Sequence, residues 1–385
     1  MKGWVRTIGL VGVVFLALSP ANGLCKEPIK LGVILDLTGF FAETGRSCMD
    51  ALKMVFDETN EKGGIHGHKI DYKITDDSSS PDRGASLARR FIDVDNVLCI
   101  VGPSTSGSAL AVLKIAAEEK VPVQGIASSN AMHEGEIAKW YFAFRDNVST
   151  DVGARMLYAK KKGYKKIGLM WVNYEWGRSS KDLAYKLAKE YGLTIVGDVP
   201  VERGTAECTA EAAKMKEMNP EMVMGFILTK ELAAAARGFA ALNWKPVMFA
   251  TGPPIRPAMQ LVDPKLMEGW IIAALANENA PEVVALVNKF KEKYGSTTPS
   301  PDFFAGIYDS TNVLVHVFKT MIEKGIPLTR MNLKEGMENF SAGVEMLSPR
   351  PRKSPGWGKN PPHILCRAED AIIARIENEK IVVVE

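Results

Sequence analysis

Apolar positions along the chain fall into two alternating patterns. The short runs "IKLGVILDL" from Ile29, "HKIDYKITDD", "VLCIVG" and "VPVQGIAS" read as strands. Between them "RSCMDALKMVFDETNEKGG", "DRGASLARRFIDVD" and "SALAVLKIAAEEK" carry apolar residues at helical spacing, the first ended by its glycines. Strand and helix alternating in this way predict a parallel sheet covered by helices on both faces. The alternation starts again at "STDVGARMLYAKKKG" and continues through "KKIGLMWVN", "SSKDLAYKLAKEYG", "TIVGDVPV", "CTAEAAKMKEMN", "EMVMGFIL", "KELAAAARGFAALNW" and "PVMFATG", which predicts a second, similar α/β lobe. After "GWIIAALA" come two helices, "PEVVALVNKFKEKYG" and "FAGIYDSTNVLVHVFKTMIEKG", with no complete new lobe between them. They must pack on something already built. The C-terminal "AIIARIENEKIVVVE" reads as a hairpin turning at "ENEK".

The N-terminus departs from this pattern. Lys2 and Arg6 precede "IGLVGVVFLAL", and small residues follow up to Gly23. That combination describes a secretory signal peptide over residues 1–23, too short in its apolar part to anchor a mature chain. Cys25 raises the possibility of lipidation, but Asn22-Gly23-Leu24 matches a lipobox poorly. No later segment reaches about 18 continuous apolar residues, so the expected location is the periplasm. The other cysteines, Cys48, Cys99, Cys208 and Cys366, lack CxxC spacing, which argues against zinc and thioredoxin-like chemistry. An oxidising compartment permits disulfides among them, while buried free thiols are the plainer reading. With 385 residues, 46% of them hydrophobic, and a net charge of +3, the chain can bury more than one core. Its basic residues are interleaved with acids, so no nucleic-acid partner is expected. The tail segment "PRPRKSPGWGKNPP" is rich in Pro and Lys/Arg and reads as an irregular crossing or surface loop.

Candidate chemistry concentrates in "VGPSTSGSAL", Val101 to Leu110, where a buried strand hands over to a helix. In an open parallel sheet, ligands bind beyond the carboxyl ends of the strands, where helix N-termini expose unpaired N–H groups. Ser104, Thr105, Ser106 and Ser108 can cap that helix or turn their hydroxyls outward. Ser128 and Ser129 end the next strand, so a carboxylate is the natural guest. A phosphate loop is excluded by the absence of GxxxxGK[ST] and of GxGxxG at the first helix. Tyr174 and Trp176 in "NYEWGRS" end the second lobe's first strand, where core packing does not require aromatics. The histidine pair "HGH" lies in a Gly-rich turn and reads as solvated, and no GxSxG, HExxH or hydrolase order of Ser, His and acid is present. An enzyme is not expected, nor any cofactor or metal.

Taken together, "IKLGVILDLTGFFAETG", "NEKGGIHGHKI", "DDSSSPDRGASLARRFI", "IVGPSTSGSALAV", "VPVQGIASSN", "FRDNVSTDVGA" and "NYEWGRS" resemble the periplasmic branched-chain amino-acid-binding proteins, the type I substrate-binding proteins of ATP-driven importers. The resemblance runs in family order across nearly the whole mature chain. It implies two Rossmann-like lobes with parallel sheets in a Venus-flytrap arrangement, joined by three crossings near Asn147, Asn277 and Leu347. Residues 28–147 with 277–347 would form the first lobe, and 148–276 with 348–385 the second. Position by position, it implies that Ser106, with Thr105 beside it, holds a ligand carboxylate. Ala127 to Ser129, through Ser128, would take an amino-acid ammonium by a carbonyl and a hydroxyl. Tyr174 and Trp176 would close from the opposite lobe, and Phe41 and Thr44 would meet the ligand side chain.

One departure qualifies the ligand. The amino-acid binders place an acid after the strand equivalent to "PVMFA", where this chain has "TGPPIRP", with Thr251 and Gly252. A buried ammonium without a counter-charge is costly, so aromatic or aliphatic acids, amides and urea come forward beside amino acids. The expected function is extracytoplasmic capture of a small carboxylate by a monomeric protein that delivers it to an inner-membrane ABC permease. The alternatives are a ligand-sensing clamshell and, last, an enzyme using the cleft.

Overall fold

The computed structural model describes residues 26–385 except 145–146, 275, 299 and 349–351. The expected signal peptide and Cys25 lie outside the described residues.

The first series of elements builds one sheet. Strands β1 (Ile29–Leu35), β2 (Ile70–Asp76), β3 (Cys99–Val101), β4 (Val123–Gly125) and β5 (Tyr141–Ala143) pair in the order β2-β1-β3-β4-β5, all parallel. Parallel strands joined by helices are covered on both faces, which is why β1 is buried at six of seven positions. The covering helices are α1 (Ala42–Glu61), α2 (Pro81–Asp93) and α3 (Ser106–Glu118). Ser80 caps α2 by accepting from the Arg83 N–H, with Pro81 in the first turn. Its apolar face then brings Phe91 flat onto Gly32 of β1, where a Cβ would meet the ring at 2.4 Å.

The second series repeats the plan. Helix α4 (Val148–Lys162) leads into β6 (Lys166–Val172), α5 (Glu175–Tyr191), β7 (Thr194–Val201), α6 (Thr209–Glu217), β8 (Met222–Phe226), α7 (Thr229–Ala241), β9 (Met248–Thr251), the short α8 (Ile255–Met259) and β10 (Ile271–Ala274). The chain then returns. Helices α9 (Pro281–Tyr294), α10 (Pro301–Glu323) and α11 (Arg330–Phe340) bury Leu286, Phe304, Phe318 and Leu333 in the same core as Leu52 and Phe56 of α1. The two helices without a lobe of their own therefore complete the first one. A small antiparallel pair, β11 (Ala342–Met346) and β12 (Arg352–Pro355), follows.

The hairpin of β13 (Ile372–Glu377) and β14 (Lys380–Val383) finishes the second sheet, whose order is β14-β13-β10-β9-β8-β6-β7. Asn378 and Glu379 at its turn have φ of 52° and 63°. Two successive positive φ values are what a tight two-residue hairpin turn requires.

The expected boundary at 347 is displaced. Trp357 and Leu365 belong to the first lobe's core, the Trp357 Nε1–H donates to the Ala143 carbonyl at 2.6 Å, and His363 stacks on Phe142 at 4.5 Å. Burying a large apolar side chain contributes about 1.5–3 kcal/mol, so Trp357 and Leu365 hold residues 352–366 to the first lobe. Cys48, Cys99 and Cys208 are buried free thiols, and Cys366 is buried as well. No helix among the described residues is long and apolar enough to cross a membrane.

Candidate ligand-binding cleft

The carboxyl ends of strands from both sheets face one cleft with an empty volume of about 670 Å³, the part open to solvent included. From the first lobe it is lined by Phe41, Ser104, Ser106, Ile126, Ala127 and Ser128, with Phe144 and Phe303 behind them. The second lobe contributes Asp151, Tyr174, Trp176, Leu228, Thr251, Pro253, Pro254 and Ala273. Of the residues expected to meet a ligand, Ser106, Ala127, Ser128, Tyr174, Trp176, Phe41 and Thr251 lie on this wall. Thr44, Thr105 and Ser129 do not.

What those three do instead follows from the local structure. Thr44 is buried in the first turn of α1. Thr105 precedes α3 and faces inward: its N–H and hydroxyl both donate to the Asp36 carboxylate, each at 3.1 Å. Ser104 also donates to Asp36, at 2.5 Å, and Ser108 donates to Asp77. The hydroxyl-rich loop is thus clamped from below by two buried acids at the ends of β1 and β2, leaving Ser106 at the first turn of α3 facing the cleft. Gly102 makes this possible, since its φ is +95° and a Cβ there would come within 2.0 Å of the Ile34 carbonyl oxygen. Ser129 accepts from the Ala131 N–H and donates to Glu175 of the second lobe at 3.0 Å.

Asp36 and Asp77 share a hydrogen bond in this buried site. Burial foremost, and then the Asp36 charge, raise the Asp77 carboxyl from its ordinary range to about 7. Opposite them Tyr174 of the second lobe lines the cleft together with Ser106. Burial is the main cause that pushes this phenol well above its ordinary value, and the Asp36 charge adds to it.

The lobes also touch beside the cleft. Phe40 meets Tyr174 edge-on with ring centroids 5.4 Å apart, and the Arg203 guanidinium lies 4.4 Å from the Phe40 centroid. The Asn130 N–H donates to Ser179 at 3.2 Å.

The sequence reading missed an acid of the cleft. Asp151, in the first turn of α4, is held by Arg155 one turn later: Nε donates to Oδ1 and Nη2 to Oδ2, both at 3.0 Å. Arg155 is fully buried, its Nη1 donates to the carbonyls of Gly225 and Phe249, and its guanidinium lies over the Phe226 ring at 4.6 Å. The signal was present, an Asp and an Arg four apart on a helix that starts at a lobe crossing. Ser104 lay within the hydroxyl loop already singled out, whereas Phe303 enters from α10 with nothing in its local sequence to mark it. Among the described residues no group of three or more His, Cys, Asp or Glu is placed to hold a metal.

Comparison with known proteins agrees with this architecture. A family model described as "Periplasmic binding protein" matches residues 28–360. The chain is 26% identical over 221 residues to the Leu/Ile/Val-binding protein BraC3 of Rhizobium johnstonii, covering 57% of this chain and 59% of that protein. It is 25% identical over 285 residues to Leu/Ile/Val-binding protein homolog 2 of Brucella abortus, covering 73% and 76%. A periplasmic binding protein type 1 from Bordetella pertussis superposes with a TM-score of 0.80 at 21% identity, covering 93% of this chain and 99% of the other. A solute-binding protein of an ABC transporter from Rhodopseudomonas palustris, solved with 3,4-dihydroxybenzoic acid, gives 0.75 at 19% identity, covering 93% and 96%. The match to the family model over residues 28–360, on a chain whose two sheets share one cleft, shows that the chain belongs to the periplasmic binding protein family.

Proposed function

We propose that the protein captures a small carboxylate outside the cytoplasmic membrane by closing its lobes on it, and delivers it to an inner-membrane ABC permease. The observation that carries this reading is the pairing of Ser106, at an α3 N-terminus, with Tyr174 and Trp176 of the other lobe across one cleft. Hydroxyls and helix N–H groups receive an anion without a full counter-charge, and a ligand touching both lobes favours the closed state by its differential affinity. The relatives named for leucine, isoleucine and valine and the neighbour holding a dihydroxybenzoic acid both support a small carboxylate.

A thermal-shift screen of amino acids, aromatic acids, aliphatic acids and amides tests it, because bound ligand raises the melting temperature by mass action. For any hit, Ser106→Ala should weaken binding about tenfold, from the loss of a charge-assisted hydrogen bond. A screen without a carboxylate hit, or a hit whose affinity ignores Ser106→Ala, would end this reading.

A further inference from the structure

Asp151, the one acid among the described residues that line the cleft, is already neutralised. Both Asp151 oxygens are taken up by the bidentate Arg155 contact, and Arg155 is buried with its Nη1 committed to two strand carbonyls. A carboxylate has roughly four acceptor positions, so Asp151 keeps acceptor capacity toward the cleft that it lines. The pair with Arg155 carries no net charge, so an ammonium beside Asp151 also feels the guanidinium behind it. The Ala127 carbonyl, where the resemblance to amino-acid binders would place an ammonium, accepts the Tyr141 hydroxyl, and the Ser128 carbonyl accepts the Val148 N–H. Around these polar groups the walls are apolar: Phe41, Phe144, Phe303, Trp176, Ile126 and Leu228.

We propose that Asp151, fixed by Arg155, is a specificity-determining residue that accepts a hydrogen bond from a neutral hydroxyl on the ligand, so the cleft selects hydroxylated carboxylic acids without an ammonium group over zwitterionic amino acids. This rests on the small-carboxylate reading above and narrows it. A hydroxyl donor is matched by an acceptor with no surplus charge. An ammonium here would lose its hydration without gaining an unopposed anion.

The test is calorimetric titration of the full mature protein with benzoate, the three monohydroxybenzoate isomers, leucine and isoleucine. The expected result is that the best hydroxybenzoate binds about tenfold or more tighter than benzoate, with both amino acids weaker than either. In Asp151→Asn the ratio of hydroxybenzoate to benzoate affinity, both measured on that variant, should shrink severalfold. Because that variant strips a buried guanidinium of its carboxylate, Asp151→Asn/Arg155→Gln is measured beside it, and the wild-type ranking decides if neither variant folds. Equal binding of benzoate and every hydroxybenzoate overturns the inference and leaves the small-carboxylate reading standing. Leucine or isoleucine binding tightest overturns it in favour of Asp151 as a counter-ion. No binding by any of the six compounds, together with no carboxylate hit in the wider screen, sinks both readings.

Discussion

Closure of the two lobes should depend on a contact that touches no ligand. Phe40 leaves the first lobe in the β1–α1 loop and packs against the second lobe's core, edge-on to Tyr174 and under the Arg203 guanidinium. An aromatic pair of this geometry contributes about 0.5–1.5 kcal/mol, and a cation over a ring at an exposed site about 0.5–1 kcal/mol. Both exist only when the lobes are together. Phe40→Ala should therefore cost the closed state about 1–2.5 kcal/mol, a 5- to 70-fold shift toward open by the usual conversion. Arg203→Ala alone should give about 2- to 5-fold. Single-molecule energy transfer between dyes on the two lobes reads the populations directly, and the four described cysteines are buried, so introduced cysteines can be labelled selectively. Apparent ligand affinity should fall in parallel, since it scales with the competent fraction, and the ranking of ligands should be preserved. A Phe40→Ala protein whose closed fraction and affinity both stay within twofold of wild type would refute the latch. So would a double mutant whose loss equals the sum of the two single losses, because residues in contact must couple.

Other outcomes follow from the same structure. Asp77 holds its proton to about pH 7 in the folded protein against an ordinary value of 3.8. Between those values the native state carries a proton that the unfolded chain releases, so this group's contribution to stability declines as pH rises through that window and is flat above it. In Asp77→Asn the decline, on the order of a few kcal/mol, should vanish from urea unfolding curves at pH 5, 6, 7 and 8, and an unchanged slope would refute the shared-proton pair. Arg155→Met leaves Asp151 and two strand carbonyls without their donor. It should destabilise by about 3–5 kcal/mol, and a loss below about 1 kcal/mol in denaturant would mean the pair carries little. Gly102→Ala forces a strained φ and a contact with the Ile34 carbonyl, so it should displace the Ser104–Ser106 loop and weaken every carboxylate by the same factor in calorimetry.

Much of this molecule can be read before any coordinates, and the reason is periodicity. Strands buried on both faces and helices with one apolar face leave patterns that depend only on neighbours in sequence, and the "ENEK" turn is similarly local. What resisted reading was set by contacts between residues distant in the chain. Trp357 sits in a Pro- and Lys-rich stretch that reads as loop, and only the pocket beside Phe142 makes it core. Thr105 and Ser106 are chemically similar neighbours, yet Asp36, 69 residues before Thr105, turns one inward and leaves the other to the cleft. Asp151 was locally visible but carries meaning only with Arg155 and the strand carbonyls beneath it.

That division explains why recognition and closure are hard to separate here. Ser106 belongs to the first lobe and Tyr174 to the second, and both line the cleft where a carboxylate is proposed to sit. A carboxylate there would meet Ser106 from one lobe and Tyr174 from the other, so the proposed anion seat is complete only when the lobes are together. Changes at Tyr174 thus disturb binding and closure at once, whereas Phe40 and Arg203 act on closure alone and Asp151 on the far end of the ligand. The three sets lie on different elements, the α5 N-terminus, the cleft-side loops after Leu35 and β7, and the first turn of α4. Each can be varied while the other two are held, and only a protein in which closure and recognition are linked through Ser106 would show Tyr174→Phe lowering both the closed fraction and the carboxylate affinity.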